Sequence, residues 1–149
     1  MTTIASLDRS SQKTNIWLRD ALVQLDWTDP RRALTALRAV LHALRNHLPH
    51  AEMVQLGAEL PTFIRGLYYE GWNPAHTPLK DRSREAFLAQ IRKAFQPRAD
   101  IDPEQVARAI IRLLRSHISH GEMEQVRRAL PPEIRRYWPA HPEVLQEAS

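Results

Sequence analysis

Imidazole and carboxylate side chains recur together in a His-x-x-His-x-Glu pattern that the chain carries twice. Its members are His47, His50, Glu52, His117, His120 and Glu122. Such groups together can ligate zinc, iron or manganese. Helical ligands need a spacing of three or four residues, however, and Pro49 and Gly121 place each pattern across a turn between helices. We therefore favour helix-start chemistry, with the glutamates stabilising first-turn N–H groups and the second histidines capping. No metal or other cofactor is expected, and the metal candidates are His47, His50, His117 and His120.

A second group of interest is the aromatic run from Tyr68 to Pro74. Tyrosine and tryptophan are common anchors of protein interfaces, so the run could form an exposed surface for a partner helix or peptide. The candidate partner-binding residues are Arg65, Tyr68, Tyr69, Glu70 and Trp72. The alternative is that these rings close the junction between two halves of the protein, with Gly71 ending a helix in a left-handed conformation.

Arginines form a third group, which could bind phosphate groups of a nucleic acid. The candidates are Arg108, Arg112, Arg115, Arg127 and Arg128. A short helix that follows another across a tight turn is also typical of helix-turn-helix DNA readers. That short helix begins Glu122-Met123-Glu124, which would set carboxylates where phosphates bind. A solvated helix face is therefore the alternative interpretation of these arginines, and nucleic-acid binding is the alternative function of the protein.

No catalytic constellation is recognisable. The chain has only 4 glycines and no cysteine, which excludes a Gly-rich phosphate loop, thiolate catalysis and Cys-type zinc sites. We expect a non-enzymatic protein, acting as an interaction or regulatory module that binds a protein partner or self-associates.

These residues must be positioned by a repeated unit. At an offset of 70, the segment 44–65 matches the segment 114–135, with eleven of 22 residues identical. The same offset pairs Trp17-Leu18 with Phe87-Leu88. Such internal similarity is typical of duplicated architectures.

Apolar residues at helical spacing predict four helices in each copy. The predicted spans are 11–25, 30–46, 51–59 and 61–69 in the first copy, and 83–95, 103–118, 122–130 and 131–137 in the second. Candidate caps are Asp29, Ser83 and Asp102. We predict an all-α bundle of about eight helices, from two tandem four-helix repeats sharing one core. Residues 1–149 would form a single domain, with units at 11–72 and 82–139, and the tail after Pro139 is expected to be loosely held.

Composition agrees with a cytoplasmic protein. The net charge of +4 on 149 residues is modest, and the 21 basic residues are almost matched by 17 acidic ones. The polar N-terminal segment lacks the apolar region of a secretory signal. No apolar stretch approaches the roughly 20 residues that cross a bilayer, so no membrane partner is expected.

Two stretches resemble a bacterial family of uncharacterised proteins, the domain of unknown function 2267. One runs from Arg65 through Tyr-Tyr-Glu-Gly-Trp-Asn to Pro74, followed by Pro78, Lys80, Arg82 and the segment Glu85-Ala-Phe-Leu88. The other is Ala36–Arg45, followed by Glu59-Leu-Pro61. The resemblance covers nearly the whole chain. It implies a helical bacterial protein and supplies no activity.

Overall fold

The computed structural model of the protein describes residues 4–98 and 100–139. Within these ranges it contains eight α-helices, a 3-10 helix at Pro74–His76 and no strand, which confirms the all-helical prediction. The α-helices are α1 (Ala5–Leu25), α2 (Pro30–Asn46), α3 (His50–Ala58), α4 (Thr62–Tyr69), α5 (Arg84–Ala94), α6 (Pro103–His117), α7 (His120–Ala129) and α8 (Pro132–Arg135). The expectation for the tail lies outside the described residues.

The predicted caps explain where three of the helices begin. Asp29 accepts a hydrogen bond from the Arg31 amide at 3.0 Å, and Asp102 accepts one from the amide of Glu104. Proline follows each aspartate at the first helical position, where it sacrifices no helical hydrogen bond. The Ser83 hydroxyl caps α5 in the same way.

Two details of the predicted helices were wrong. α1 begins at Ala5, six residues before the expected start. Gly121 lies inside α7 and does not separate two helices; the break falls one position before His120, where Ser119 caps the helix. Histidine therefore caps neither α3 nor α7, since Pro49 occupies the N-cap of α3 without a side-chain hydrogen bond.

Four helices, α1, α2, α5 and α6, form the centre of the bundle. The first helix of each half packs against the second helix of the other half, so that α1 lies on α6 and α5 lies on α2. The shorter helices surround this centre: α3 contacts α7, α4 contacts α1, α2 and α3, and α8 contacts α5.

Both halves contribute to one hydrophobic core. α2 and α6 carry the densest apolar stripes, and their residues Leu37, Leu41, Ile110 and Leu114 are fully buried. Each such side chain stabilises the fold by about 1.5–3 kcal/mol relative to an exposed one. None of the described helices has the length and apolar character to cross a membrane.

Candidate functional site

The aromatic run begins at the C-terminal end of α4, and one face of α2 holds that end in place. Three α2 residues spaced by four and three positions contribute, namely Arg38, His42 and Arg45. Arg45 is 5% exposed. Its Nη1 donates to the carbonyls of Tyr68 and Glu70, both at 2.7 Å, and its Nε donates to Asn46. Carbonyls at a helix end have no partner within the helix, so the buried guanidinium satisfies groups that would otherwise be unpaired.

The other two α2 side chains complete this arrangement nearer the surface. Arg38 forms an ion pair with the Glu70 carboxylate at 2.6 Å. His42 Nε2 lies 2.6 Å from the Leu67 carbonyl oxygen; because a carbonyl only accepts, this nitrogen carries the hydrogen. Burial, with the nearby arginine charges, lowers the pKa of His42, which favours the neutral ring.

Tyr68 is fully buried, contrary to the exposed position expected of a partner-binding residue. Its hydroxyl donates to the Met53 carbonyl at 2.7 Å. Burial raises the pKa of Tyr68 far above its usual range, as is expected for a phenol that must stay neutral. Tyr68 therefore joins α4 to α3 and cannot contact a partner.

Arg65 is also used within the protein. Its guanidinium donates to the carbonyls of Gly57, Ala58 and Leu60 at 2.9–3.0 Å, which closes the C-terminal end of α3. In the second half, Arg135 donates to the carbonyls of Arg128 and Leu130, which correspond to Ala58 and Leu60. The repeated arginine thus caps the C-terminal end of a short helix in both halves.

Tyr69 and Trp72 remain at the surface, each partly exposed. Their rings meet edge to face at 6.1 Å, and Trp72 meets the ring of His50 at 5.7 Å. The Trp72 indole donates to the Thr77 hydroxyl at 2.9 Å. A hydrogen bond and two ring contacts therefore position Trp72, and ring contacts position Tyr69.

Val54 extends this aromatic surface along α3. It lies one turn after His50 and three residues before Gly57, so all three share one helix face. A Cβ atom at residue 57 would lie 3.0 Å from the Tyr69 ring, so this face is the one that meets Tyr69. Val54 is 51% exposed. We call the surface formed by His50, Val54, Tyr69 and Trp72 the ledge.

Helix α7 of the second half differs from α3 at the positions equivalent to Val54 and Gly57. At the offset of 70, Val54 corresponds to Glu124 and Gly57 to Arg127. These two form a close ion pair, with Arg127 Nη2 and Glu124 Oε2 2.9 Å apart. An apolar helix face in one half is thus a charged, internally paired face in the other.

The histidines of the first pattern do not converge. His47 is buried, hydrogen-bonded to the Ala43 carbonyl at 2.9 Å and packed edge to face on Phe87. His50 lies at the surface, where Nε2 donates to the Thr77 carbonyl at 2.7 Å.

The histidines of the second pattern also have separate surroundings. His117 stacks on Trp17 with ring centroids 4.6 Å apart, and its Nε2 lies 2.7 Å from an Asp20 oxygen. His120 begins α7. In the part of the chain that the structure describes, no three His, Cys, Asp or Glu residues are grouped so that they could hold a metal ion.

The arginine candidates do not form a free basic face. Arg108 lies 3.9 Å from Glu104, and Arg112 donates twice to Gln24, at 2.9 Å to the side chain and 3.3 Å to the backbone. The Arg108–Glu104 ion pair lies within α6, whereas Arg112 joins α6 to α1. Arg127 forms the ion pair with Glu124 described above. The other two candidates are Arg115 and Arg128.

A cleft of about 640 Å³ lies between the first half of α1 and the turn from α3 to α4. Arg9 and Lys13 line one wall, Glu59 and Arg65 line the other, and the Trp17–His117 stack lies among the lining residues. Sequence reasoning missed this cleft, because residues before Ser11 were not expected to be helical. The only available signal was the pair of cations Arg9 and Lys13, one helical turn apart.

Fold and surfaces together define a small all-helical bundle whose two similar halves pack their helices on each other. The chain belongs to the family described as "Uncharacterized conserved protein (DUF2267)", whose profile matches residues 14–137. The predicted resemblance is thereby confirmed. No curated protein matches the chain.

Proposed function

We propose that this protein is a bacterial, cytoplasmic, non-enzymatic interaction module that binds a protein partner through the ledge. The observation that carries the proposal is the contrast between halves at one helix face. The first half presents Val54 beside Tyr69 and Trp72, and the second presents an ion pair. An exposed apolar residue beside two aromatic rings does not stabilise the fold, so its presence on this helix face favours a role in binding.

The chemistry of the ledge supports protein binding. Aromatic side chains that are already fixed lose little freedom when a partner covers them. Exposed apolar surface grouped in one place is a mark of interaction sites. Apolar side chains of a partner would cover Val54 and the ring edges, while the exposed Arg38–Glu70 ion pair lies beside them.

The nucleic-acid alternative stays a prediction with less support. Arg108, Arg112 and Arg127 already contact side chains of the protein itself. Phosphate binding would have to replace those contacts.

Site-specific photo-crosslinking in the native cell tests the proposal. A benzoylphenylalanine is placed at position 54, and at position 23 as the control, since Val23 is 75% exposed on a different helix. The protein captured only at position 54 is then purified and titrated against wild type, Val54→Glu and Val23→Glu. Because a buried charge opposes apolar contact, we expect at least tenfold weaker binding for Val54→Glu and a change within twofold for Val23→Glu.

Sedimentation of the purified chain separates two kinds of supporting result. Self-association lost in Val54→Glu identifies the partner as a second copy, and a monomeric chain with a captured protein identifies a different partner. Equal capture at positions 54 and 23, or equal weakening by both substitutions, would overturn the proposal.

A further inference from the structure

The first half of α1 is an extension that α5, its counterpart in the second half, does not have. Helix α5 begins at Arg84, which corresponds to Thr14 at the offset of 70. α1 begins nine residues earlier, at Ala5. The family profile also begins at residue 14. Residues 5–13 therefore add about two and a half helical turns that have no helical counterpart before α5 and lie outside the family match.

This extension forms one wall of the cleft. The opposite wall is the α3–α4 turn, which does belong to the family match. The volume of about 640 Å³ lies within the roughly 300–1,000 Å³ of ligand-binding pockets. Cleft residues on α1 run from Ser6 to Trp17, which corresponds to about 16 Å along the helix axis. The cleft is thus long enough for about five residues of an extended peptide.

The cleft is positively charged. Arg9 and Lys13 lie one turn apart on α1, and Arg65 lies across from them. None of the three forms an ion pair with a carboxylate of the described residues. Among the described residues, Glu59 is the one carboxylate that lines the cleft, and it accepts a hydrogen bond from the Ser119 hydroxyl. Three cations against one carboxylate favour an acidic ligand.

The cleft also offers apolar contact. Ile16 lines it and is 47% exposed, and Pro61 lies on the other wall. A lone inorganic anion would leave Ile16 uncovered, whereas a peptide can place an aliphatic side chain there.

We propose that this cleft binds an acidic peptide segment of a partner protein. Its carboxylates pair with Arg9 and Lys13, and an aliphatic side chain packs on Ile16. The proposal is independent of the ledge, because the two surfaces share no residue.

Fluorescence anisotropy of a rhodamine-labelled peptide tests this inference. The probe is Asp-Glu-Leu-Asp-Glu-Leu with capped ends, and its control is Asn-Gln-Leu-Asn-Gln-Leu. The cleft variant is Arg9→Glu with Lys13→Glu. Its matched control is Arg92→Glu with Lys93→Glu, which makes the same charge change on exposed residues of α5. The neutral variant Arg9→Gln with Lys13→Gln serves if charge reversal disturbs α1.

At low salt we expect the acidic probe to bind wild type at least tenfold more tightly than the amide probe. The cleft variants should weaken binding at least tenfold, and the α5 control by less than twofold. Binding should also shift the NMR signals of Trp17, because this residue lines the cleft.

Several outcomes would overturn the inference. These are absence of binding at 20 mM salt, equal loss in the cleft and α5 variants, or equal affinity for both probes. Displacement of the probe by inorganic phosphate, but not by sodium chloride of equal ionic strength, would identify a simple anion site. Stronger binding of a single-stranded oligonucleotide than of the peptide would assign the cleft to nucleic acid. Each of these results can occur whether or not the ledge binds a partner.

Discussion

Gly57 lies where the backbone of α3 passes closest to the two tyrosines of α4. A Cβ atom at this position would lie 2.8 Å from the Tyr69 hydroxyl and 3.0 Å from the Tyr68 ring. Tyr68 cannot move away, because it is buried and hydrogen-bonded to Met53. The absence of a side chain at residue 57 therefore determines how closely α4 packs on α3 and where the ledge lies.

Gly57→Ala should lower the free energy of unfolding, because overpacking of about 1–3 kcal/mol exceeds the gain in helix propensity of about 1 kcal/mol. Gly66→Ala is the matched control, since a Cβ there meets nothing within 4 Å. That substitution should raise the free energy of unfolding by up to about 1 kcal/mol. Urea denaturation measures both free energies of unfolding. A Gly57→Ala protein more stable than wild type would contradict the close packing of α4 on residue 57.

Three carboxylates approach one another where α3 contacts α7. Glu52 and Glu122 lie in the first turns of these helices, and each has one buried oxygen without a hydrogen-bond partner among the described residues. Burial, then repulsion by Glu59 and Glu52, raises the pKa of Glu122 above its ordinary value of 4.5. The folded state therefore binds this proton more tightly than the unfolded state does.

Glu122→Gln should be more stable than wild type at pH 7–8, by less than about 1 kcal/mol because the partly exposed carboxyl is screened by solvent. The sign follows from linkage. As the pH rises from 4.5 through the higher folded-state pKa of Glu122, the wild-type protein loses the stability that the protonated carboxyl contributes. Below pH 4.5 this carboxyl is neutral in the folded and unfolded states, so the difference in stability between Glu122→Gln and wild type should vanish. Urea denaturation across pH 3–8 measures this difference in the free energy of unfolding. Glu85→Gln, in the exposed first turn of α5, is the control, and a difference that grew at low pH would contradict the prediction.

At the scale of elements, α4 depends on its neighbours. A helix of eight residues is not stable alone in water, and no side chain caps its N-terminus. Its C-terminal end is stabilised instead by α2, chiefly through the buried guanidinium of Arg45. The corresponding Arg115 of α6 is partly exposed and makes no such hydrogen bond within the described residues of the second half, where α8 is only four residues long.

Arg45→Ala should lower the free energy of unfolding by about 2–4 kcal/mol, because it removes charged hydrogen bonds and leaves helix-end carbonyls unpaired. Arg115→Ala, at the matching position 70 residues later, should change it by less than about 1 kcal/mol. Urea denaturation gives these values. Hydrogen exchange should show faster exchange of the amides of Glu70 and Trp72 in Arg45→Ala alone, and equal effects of the two substitutions would refute the role assigned to Arg45.

Local signals predicted the helices well and the surfaces poorly. Asp29, Ser83 and Asp102 could be identified as caps because capping depends only on residues a few positions apart. By contrast, Tyr68 is buried and the neighbouring Tyr69 is partly exposed. This difference depends on how α4 is rotated about its axis against α2 and α3. Hydrophobic periodicity also missed residues 5–13, because this part of α1 is almost wholly exposed and carries no continuous apolar stripe.

At the scale of the whole molecule, each half completes the other. Trp17 of the first half stacks on His117 of the second, and Phe87 of the second half packs on His47 of the first. These four residues correspond in pairs at the offset of 70. The same relation governs the helices, since α1 lies on α6 and α5 lies on α2. Separating the halves would expose the apolar stripes of α2 and α6, which are buried almost throughout.

The two halves, expressed as separate fragments 1–79 and 80–149, should therefore each lack stable structure and should fold when mixed. Circular dichroism at 222 nm should show little helix in either fragment and most of the intact signal in an equimolar mixture. Phe87→Ala should weaken the complementation at least 100-fold, because the loss of a buried phenylalanine costs about 3–5 kcal/mol. Cooperative thermal unfolding of either fragment alone would contradict the prediction, because it would show that one half can bury its own stripes.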